Sequence, residues 1–297
     1  MQPLPLSGIR IIEPGQVSAL PYAIAPLAMY GAEVIKVEST VRPDSSRGGP
    51  QPDNRVEGDA WNHGGAYHEV NRNKLGIALN LNTQRGKELF KELVSVSDVV
   101  AQNFPPRVMR NFGLDYPELK KVKPDIIVLD STAYGSTGPW QNYIGYGSSI
   151  QAVTGLTYLT GYEDGPSYRA SNNYMDHSVG NNVAYALLLA LYQRNKTGKG
   201  MRIDLTMQET GVSAIGPAIL ETQRGISRPR LGCGHLWKSP HNVFPCRGED
   251  RWITIVVSTD DEWRRLTKAM GGPAWAVDHR FDTTQGRWTH RRQLGER

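Results

Sequence analysis

Residues 8–39 read GIRIIEPGQVSALPYAIAPLAMYGAEVIKVES, and this stretch alone indicates the class of fold. The β-branched segments 8–14 and 32–39 predict two strands, and segment 21–31, with Gly31 just past its end, predicts a helix between them. A strand, a crossover helix and a second strand form the unit from which parallel sheets are built. We therefore expect a parallel α/β sheet.

The alternation of strands and helices continues along the chain. Strands are predicted at 76–81, 98–104, 125–131 and 201–207, and a helix with one apolar face is predicted at 83–97. Segments 98–104 and 125–131 are almost continuously apolar, which is typical of strands that are covered on both sheet faces. The pattern predicts an α/β protein with a doubly wound, Rossmann-like parallel sheet.

The character of the sequence changes after about residue 224. We predict a large α/β domain at 1–224, a linker rich in Pro, Gly and Arg at 225–250, and a smaller α+β domain at 251–297. A strand predicted at 252–258 and a helix predicted at 260–271 begin this smaller domain. We expect the smaller domain to be incomplete.

The overall composition is that of a soluble globular protein, with 39% hydrophobic residues and a net charge of +5 over 297 residues. This charge suits an anionic ligand, but no basic face with interleaved aromatic residues indicates nucleic acid. The N-terminus lacks the features of a signal peptide, and the longest apolar run, 183–192, is shorter than the ~20 residues of a membrane-spanning helix. Two cysteines make no disulfide framework. We expect a cytoplasmic protein without a membrane partner.

The usual ligand motifs of such sheets are absent. The first strand–helix junction, EPGQVSALPY, has no G-x-G-x-x-G, so no dinucleotide is expected. The turn NKTGKG at 195–200 lacks the leading glycine of a phosphate-binding loop and precedes a strand. No G-x-S-x-G elbow is present. The spacing of Cys233, His235, His241 and Cys246 fits no standard zinc site, so we predict no metal.

One carboxylate stands out in the segment SNNYMDHSVGNN at 171–182. Asp176 precedes the apolar run 183–192, which predicts a buried helix. Two interpretations are open: the side chain caps the helix, or it is a nucleophile that the positive end of the helix dipole keeps ionised. For its neighbour His177 a structural or capping role is predicted, because consecutive helix residues face different directions.

Seven segments, in order, resemble the family III CoA-transferases, the group that includes formyl-CoA transferase and carnitine CoA-transferase. They are residues 6–39, NRNKLGIALNLNTQRGKELF, DVVAQNFPPRVMRNFGLDY, KPDIIVLDSTAYGSTGPW, YGSSIQAVTGLTYLTGYEDGPSYR, the Asp176 segment and LALYQRNKTGKGMRIDLTMQET. The resemblance implies an acyl-CoA:carboxylate CoA-transferase with an acyl-CoA donor and a carboxylic acid acceptor. Coenzyme A is then part of a substrate, and no cofactor is bound permanently.

The resemblance also implies a set of site residues. Asp176 takes the place of the family's catalytic aspartate. The CoA-lining stretches of the family fall on Val17, Ser18, Ala19, Ser39, Leu79, Asn80, Asn82, Asn103, Phe104, Gly145 and Tyr146. Two questions stay open: Tyr146 either shapes the carboxylate pocket or packs beneath its loop, and Lys36 and Lys74 either neutralise CoA phosphates or are solvated surface charges.

Several positions depart from the family pattern. Ser39 stands where the formyl-CoA enzymes carry a phosphate-reaching arginine, which Arg42 or Arg47 could replace. Asn82 stands where a lysine is common. The glycine-rich loop of the formyl-CoA enzymes has no clear counterpart, so we expect dicarboxylic or aromatic acids rather than formate. Family chains also continue further than this one, so truncation or divergence is expected.

The resemblance implies an interlocked homodimer, or a heteromer with a related subunit. Two alternatives to a transferase are open. An α-methylacyl-CoA racemase-like enzyme would need an acid–base pair, and its histidine would stand in the place of Tyr146. A non-catalytic subunit or fragment of a heteromeric CoA-transferase is the other alternative, which the short C-terminus favours.

Overall fold

The computed structural model describes residues 3–55 and 57–297. They form two compact units: residues up to 156 together with 169–220, and residues 157–168 together with 221–297. The sequence predicts the boundary near 224 but not the short segment 157–168 in the second unit. That segment belongs there because its contacts are long-range; for example, the Gly232 N–H donates to the Gly161 carbonyl at 2.8 Å.

Six parallel strands form the sheet of the first unit: β1 (Arg10–Glu13), β2 (Glu33–Glu38), β3 (Lys74–Ala78), β4 (Val99–Gln102), β5 (Ile127–Thr132) and β6 (Arg202–Thr206). Their order is β3-β2-β1-β4-β5-β6, which confirms the predicted doubly wound sheet. The chain reverses its direction of winding between β1 and β4. β3 starts earlier than the predicted strand at 76–81, because pairing with β2 sets its register.

Helices cover both faces of this sheet: α1 (Ala19–Met29), α2 (Gly65–Val70), α3 (Gln84–Ser95), α4 (Pro106–Phe112), α5 (Tyr116–Val122), α6 (Gly147–Val153), α8 (Tyr174–Thr197) and α9 (Met207–Ala214). The chain passes between the units within α7 (Leu156–Leu159) and α10 (Gly216–Gln223). One core packs α1 and α8 on the sheet through residues such as Ile24 and Val183. The other packs α3, α4 and α5 through residues such as Phe90, Met109 and Leu119.

Helix α8 differs from its prediction in two ways. It begins at Tyr174 with Asn173 as N-cap, so Asp176 lies in the first turn and does not cap the helix. The apolar run is buried on one side only, through Val183 and Leu187. The other side exposes four large apolar side chains: Tyr185, Leu188, Leu189 and Tyr192. Among the described residues, no helix combines the length and apolar character needed to cross a bilayer.

The close packing of α1 against α8 fixes the start of α8. A Cβ atom at Gly180 would lie 2.6 Å from the Tyr22 ring, so only glycine permits this approach. The same tyrosine ring stacks on His177, with centroids 4.1 Å apart. Asp176 is therefore carried on a helix turn that two contacts hold in place.

The second unit contains an antiparallel pair of strands, β7 (His241–Pro245) and β8 (Trp252–Val256). Three helices accompany it: α11 (Asp260–Ala269), α12 (Thr284–Thr289) and α13 (Arg291–Gly295). Its core consists of Val257, Trp263, Ala276, Phe281 and Leu294. Strand β7 lies within the range predicted as a linker, because its Pro- and Gly-rich flanks mask a short strand that only pairing with β8 stabilises.

Candidate active site

A cavity of about 760 Å³ lies in the first unit, at the carboxyl ends of the sheet strands. The segments that follow β1, β2, β3, β4 and β5 form its walls. Open parallel sheets bind ligands here, because the chain segments diverge at the switch point and leave a crevice. Every predicted site residue borders this cavity: Val17, Ser18, Ala19, Ser39, Leu79, Asn80, Asn82, Asn103, Phe104, Gly145, Tyr146 and Asp176.

The β1–α1 loop holds its shape without a glycine fingerprint. Val17 has a φ of 69°, in the left-handed region that a β-branched residue rarely adopts. Its N–H lies 3.1 Å from each carboxylate oxygen of Asp44. Asp44 is almost wholly buried and also accepts hydrogen bonds from the N–H and hydroxyl of Ser46. The strained turn is therefore held by a buried carboxylate.

Two buried lysines complete this support. Lys36 Nζ lies 3.2 Å from Asp44 Oδ2 and 3.7 Å from Glu13 Oε1. It also donates to the carbonyl of Gly15. Lys74 Nζ lies 2.7 Å from Glu13 Oε2. Neither interpretation of these lysines from the sequence is therefore right: the side chains of both are buried and paired, and neither lines the cavity.

Asn103 joins the two strands at the switch point. Its Oδ1 accepts the Gln16 N–H and its Nδ2 donates to the Gln16 carbonyl, both at 2.8 Å. The side-chain amide of Asn103 thus closes a two-bond bridge between the loops after β1 and β4. Asn103 borders the cavity, but its polar atoms hold the wall together.

Arg47 belongs to a second polar cluster, in which it binds Glu38 and Tyr67. Its Nη2 and Nε lie 2.6 and 2.9 Å from the two oxygens of Glu38, and Tyr67 Oη donates to Glu38 at 2.6 Å. The guanidinium stacks 3.7 Å above the Tyr67 ring. Arg42, the other candidate for a phosphate contact, borders the cavity, whereas Arg47 does not.

This cluster makes stability depend on pH. Burial alone would raise the pKa of Glu38, but hydrogen bonds from Arg47 and Tyr67 outweigh it and lower this pKa to about 2. A lowered pKa stabilises the fold above the ordinary carboxyl pKa of about 4.3, and this contribution is lost as pH falls toward 2.

We expect Glu38→Gln to reduce the free energy of unfolding by about 2–3 kcal/mol near neutral pH, since a shift of one pKa unit corresponds to 1.36 kcal/mol. Urea titrations between about pH 7 and about pH 3 should show the gap to wild type narrowing on acidification. Glu69→Gln, at an exposed position on α2, is the control. A gap that widens as pH falls would contradict this account.

Three cationic side chains border the cavity: Arg42 after β2, Lys87 on α3 and Arg107 on α4. Helices α3 and α4 belong to one sheet face, whereas α8, which carries Asp176, belongs to the other. The cavity therefore extends across the carboxyl edge of the sheet, from the side of Lys87 and Arg107, its cationic end, to the side of Asp176. Such a shape suits a long ligand with anionic groups at one end.

Asp176 is half-buried and borders the cavity. Burial raises the pKa of its carboxyl, while a hydrogen bond to its own backbone and the charge of His177 oppose this rise. The carboxylate lies directly against Gly147, where a Cβ atom would be 2.0 Å from Oδ2. A partly desolvated carboxylate that opens on a cavity can attack an electrophile, because little water must be removed first.

Aromatic residues lie near Asp176. Tyr146 borders the cavity and is 64% exposed, so it does not pack beneath its loop. Tyr134 also borders it and makes edge contacts with Trp140 and Tyr143, with ring centroids 5.6 and 6.4 Å apart. Met207, at the start of α9, completes this part of the wall. Aromatic and apolar side chains thus form part of the wall of the cavity on which Asp176 opens.

Sequence reasoning missed Lys87, Arg107, Tyr134, Met207 and Gly147. Arg107 offered a signal, since it follows a strand end and opens a helix, where parallel sheets place ligand contacts. Lys87 and Gly147 offered none, because their place at the cavity depends on contacts between distant segments. Within residues 3–55 and 57–297, no three His, Cys, Asp or Glu side chains are grouped to hold a metal ion.

Comparisons with known proteins agree with this architecture. A sequence profile described as CoA-transferase family III matches residues 6–297. A probable CoA-transferase of Mycobacterium tuberculosis is 34% identical over 298 residues, which cover 98% of this chain and 36% of that protein. The succinyl-CoA–L-malate CoA-transferase beta subunit of Chloroflexus aurantiacus is 32% identical, over 99% of this chain and 71% of its own.

A solved structure is similar as well. The crystal structure of a CaiB/BaiF family protein from Brucella suis superposes with a TM-score of 0.87 at 30% identity, covering 99% of this chain and 77% of that one. The chain thus spans only 36% of the length of the mycobacterial relative and about three quarters of the length of the solved structure.

Proposed function

This chain belongs to CoA-transferase family III, and from that premise we propose that it moves CoA between carboxylic acids with Asp176 as nucleophile. One observation carries the proposal. The Asp176 carboxylate opens on the same cavity as all the residues expected to line CoA, and it does so beside an apolar, aromatic wall. A thioester whose CoA portion occupies the cavity would therefore reach this carboxylate.

The first half of the reaction transfers CoA to the protein. An oxygen of Asp176 attacks the thioester carbonyl carbon, a C–O bond forms, the C–S bond breaks, and CoA thiolate leaves behind a mixed anhydride. The thiolate then attacks Cγ of Asp176. The Cγ–S bond forms, the anhydride C–O bond breaks, and the donor acid leaves as its carboxylate.

The second half reverses these steps with the acceptor acid. Its carboxylate attacks Cγ of the aspartyl thioester and expels CoA thiolate, which leaves a second mixed anhydride. The thiolate attacks the acyl carbon of the acceptor, and the Asp176 carboxylate is regenerated. No net proton is taken up or released, so the mechanism needs a nucleophile and charge stabilisation but no separate base.

The start of α8 supports this chemistry. Asp176 lies in the first turn of a 24-residue helix, where the dipole favours a negative charge by roughly 0.3–1 kcal/mol and up to ~2 when partly buried. The first N–H groups of a helix have no intrahelical acceptors, so they can donate to an oxyanion. The helix turn thus stabilises both the attacking carboxylate and the charge that develops beside it.

The cationic end of the cavity suits the phosphates of CoA. Lys87 on α3 and Arg107 on α4 form this end, and Arg42, after β2, borders the same cavity. Phosphate groups accept strong charge-assisted hydrogen bonds from arginine and lysine. We propose that the phosphates bind these cationic side chains and that the thioester lies at Asp176.

Arg107→Ala is expected to raise the KM for acyl-CoA roughly 10-fold with little change in kcat, since a hydrogen bond to a charged group contributes about 1.5–3 kcal/mol. Arg110→Ala is the matched control, because Arg110 is exposed on the same helix and does not border the cavity. Steady-state kinetics at two salt concentrations would measure KM and kcat for both variants. Equal effects of the two substitutions would refute the placement of the phosphates.

The acids exchanged and the assembly are further parts of the proposal. The Chloroflexus relative is named for succinyl-CoA and L-malate and as a beta subunit. Those names support dicarboxylic acids as substrates here and a heteromer with a related subunit; the family resemblance supports an interlocked homodimer as the alternative. The aromatic wall near Asp176 supports aromatic acids as a second substrate class to assay.

Trapping of the thioester tests the proposal. The protein is incubated with a panel of acyl-CoA donors, including succinyl-CoA and an aromatic acyl-CoA, and then with hydroxylamine, which converts an aspartyl thioester into a hydroxamate. Peptide mass spectrometry should locate the hydroxamate on Asp176. Deuterium uptake at the α-carbon of the donor in heavy water, without any hydroxamate, would instead establish a racemase.

A further inference from the structure

Gly147 is the first residue of α6, and it lies directly against the carboxylate of Asp176. A Cβ atom at this position would be 2.0 Å from Asp176 Oδ2 and 2.9 Å from Cγ. The third nearest atom, the backbone nitrogen of Asp176, would lie 3.5 Å away, which is an ordinary contact. A methyl group at 147 and the present carboxylate position therefore exclude each other.

The backbone gives no separate reason for glycine at this position. Gly147 is not among the glycines with positive φ, so alanine would meet no conformational strain. Alanine is also the better helix former of the two. The three atoms nearest to the missing Cβ all belong to Asp176. The space in front of Gly147 is thus occupied by the side chain proposed as nucleophile.

The surroundings of this contact leave few ways to relieve a collision. Helix α6 is anchored by the buried Ile150, and Ser149 Oγ accepts the Tyr146 N–H and donates to the Tyr146 carbonyl at its start, both at 2.9 Å. The start of α8 is held by the approach of Gly180 to Tyr22. The end of the Asp176 side chain is the part that can rotate.

We propose that Gly147 is a positioning residue: its lack of a side chain leaves the space that the Asp176 carboxylate fills, and so fixes the direction in which that carboxylate meets a thioester. This inference rests on the proposed role of Asp176. An added methyl group would turn the carboxylate away while both helices stay in place. The substitution should therefore affect reaction far more than folding.

The test is Gly147→Ala in the full chain, with Gly65→Ala as the matched control. Gly65 is likewise the first residue of a helix, α2, and a Cβ atom there would lie 3.6 Å from the Pro50 carbonyl oxygen, which is an ordinary contact. We expect Gly147→Ala to lower kcat about 10²-fold, the loss that a misplacement of about 1 Å can cause. The Kd for CoA and the thermal midpoint should stay at wild-type values, and Gly65→Ala should leave all three unchanged.

A second readout does not depend on turnover. Carbon-13 NMR can follow the titration of the Asp176 carboxyl, whose pKa is raised by burial. A carboxylate displaced into the cavity gains solvent, so Gly147→Ala should lower this pKa toward its ordinary value, while Gly65→Ala should not.

A double variant tests the case in which Gly147→Ala destabilises the fold. If Gly147→Ala lowers the thermal midpoint, the same substitution in an Asp176→Ala background should not, because the colliding carboxylate is gone. A loss that persists in that background shows that Gly147 serves packing and overturns the inference. Wild-type turnover and an unmoved titration in Gly147→Ala also overturn it. Normal turnover by Asp176→Asn, in contrast, would overturn the proposed function.

Discussion

Asp176→Asn is expected to abolish CoA transfer, with a loss of roughly 10⁴-fold or more in kcat. Without the covalent nucleophile, neither the mixed anhydride nor the aspartyl thioester can form. The amide fills the same volume at the edge of the cavity, so CoA should still bind. Mass spectrometry of CoA exchange between two acids would measure the rate. Hydroxylamine trapping on the variant should yield no hydroxamate.

The same substitution should leave the fold intact or strengthen it. Burial raises the pKa of Asp176, which means that its charged form is disfavoured in the folded protein. A carboxyl group with a raised folded-state pKa destabilises the fold once the pH exceeds its unfolded-state value, and asparagine removes that charge.

For the wild type, kcat/KM should fall on acidification at a higher pH than for an ordinary aspartate, whose pKa is about 3.9.

Glu69→Gln, which removes an exposed carboxylate on α2, is the control for Asp176→Asn. A variant that exchanges CoA at the wild-type rate would exclude Asp176 as nucleophile. An inactive variant with a lower thermal midpoint would show instead that Asp176 serves the structure.

Asp44→Ala is expected to cost about 3–5 kcal/mol of the free energy of unfolding, because Lys36 and Lys74 then share the carboxylate of Glu13, which leaves one buried positive charge unpaired. The Val17 N–H also loses its acceptor, and with it the support for a left-handed conformation that costs of order 1–3 kcal/mol. Urea denaturation would measure the change. Because Val17 borders the cavity, affinity for CoA should fall as well.

The two effects of Asp44 can be separated. Adding Lys36→Met to Asp44→Ala removes the unpaired charge, so it should restore part of the stability, but it cannot restore the support of Val17 and the affinity for CoA should stay low. Asp59→Ala, at an exposed position in the same loop, is the control. A loss below about 1 kcal/mol for Asp44→Ala would mean that water or a relaxed loop replaces the buried pair.

Local sequence was sufficient for the main elements. The strands β1, β2, β4, β5, β6 and β8 and the helices α1, α3 and α11 lie within a few residues of their predictions, since each carries a strong periodicity or an apolar run. Strand β7 and the segment 157–168 were missed, because their places depend on pairing partners far along the chain. The strand predicted at 76–81 was displaced for the same reason: its register follows from β2.

The candidate site was likewise predicted only in part from the sequence. The resemblance pointed to the residues that border the cavity, but it could not tell which of their polar atoms face a ligand. The side-chain amide of Asn103 is hydrogen-bonded to the backbone of Gln16, and the guanidinium of Arg47 is hydrogen-bonded to Glu38. The buried pairing of Lys36 and Lys74 is likewise a property of distances between segments.

The alternation of strand and helix patterns and the order of the segments were enough to predict a doubly wound parallel sheet and a family, because both are read along the chain. The place of Asp176 inside the first turn of α8, against Gly147 and beside a cavity that cationic side chains also border, is known from the folded structure. These relations depend on how residues far apart in the chain pack together, and packing distances leave no local pattern in a single sequence.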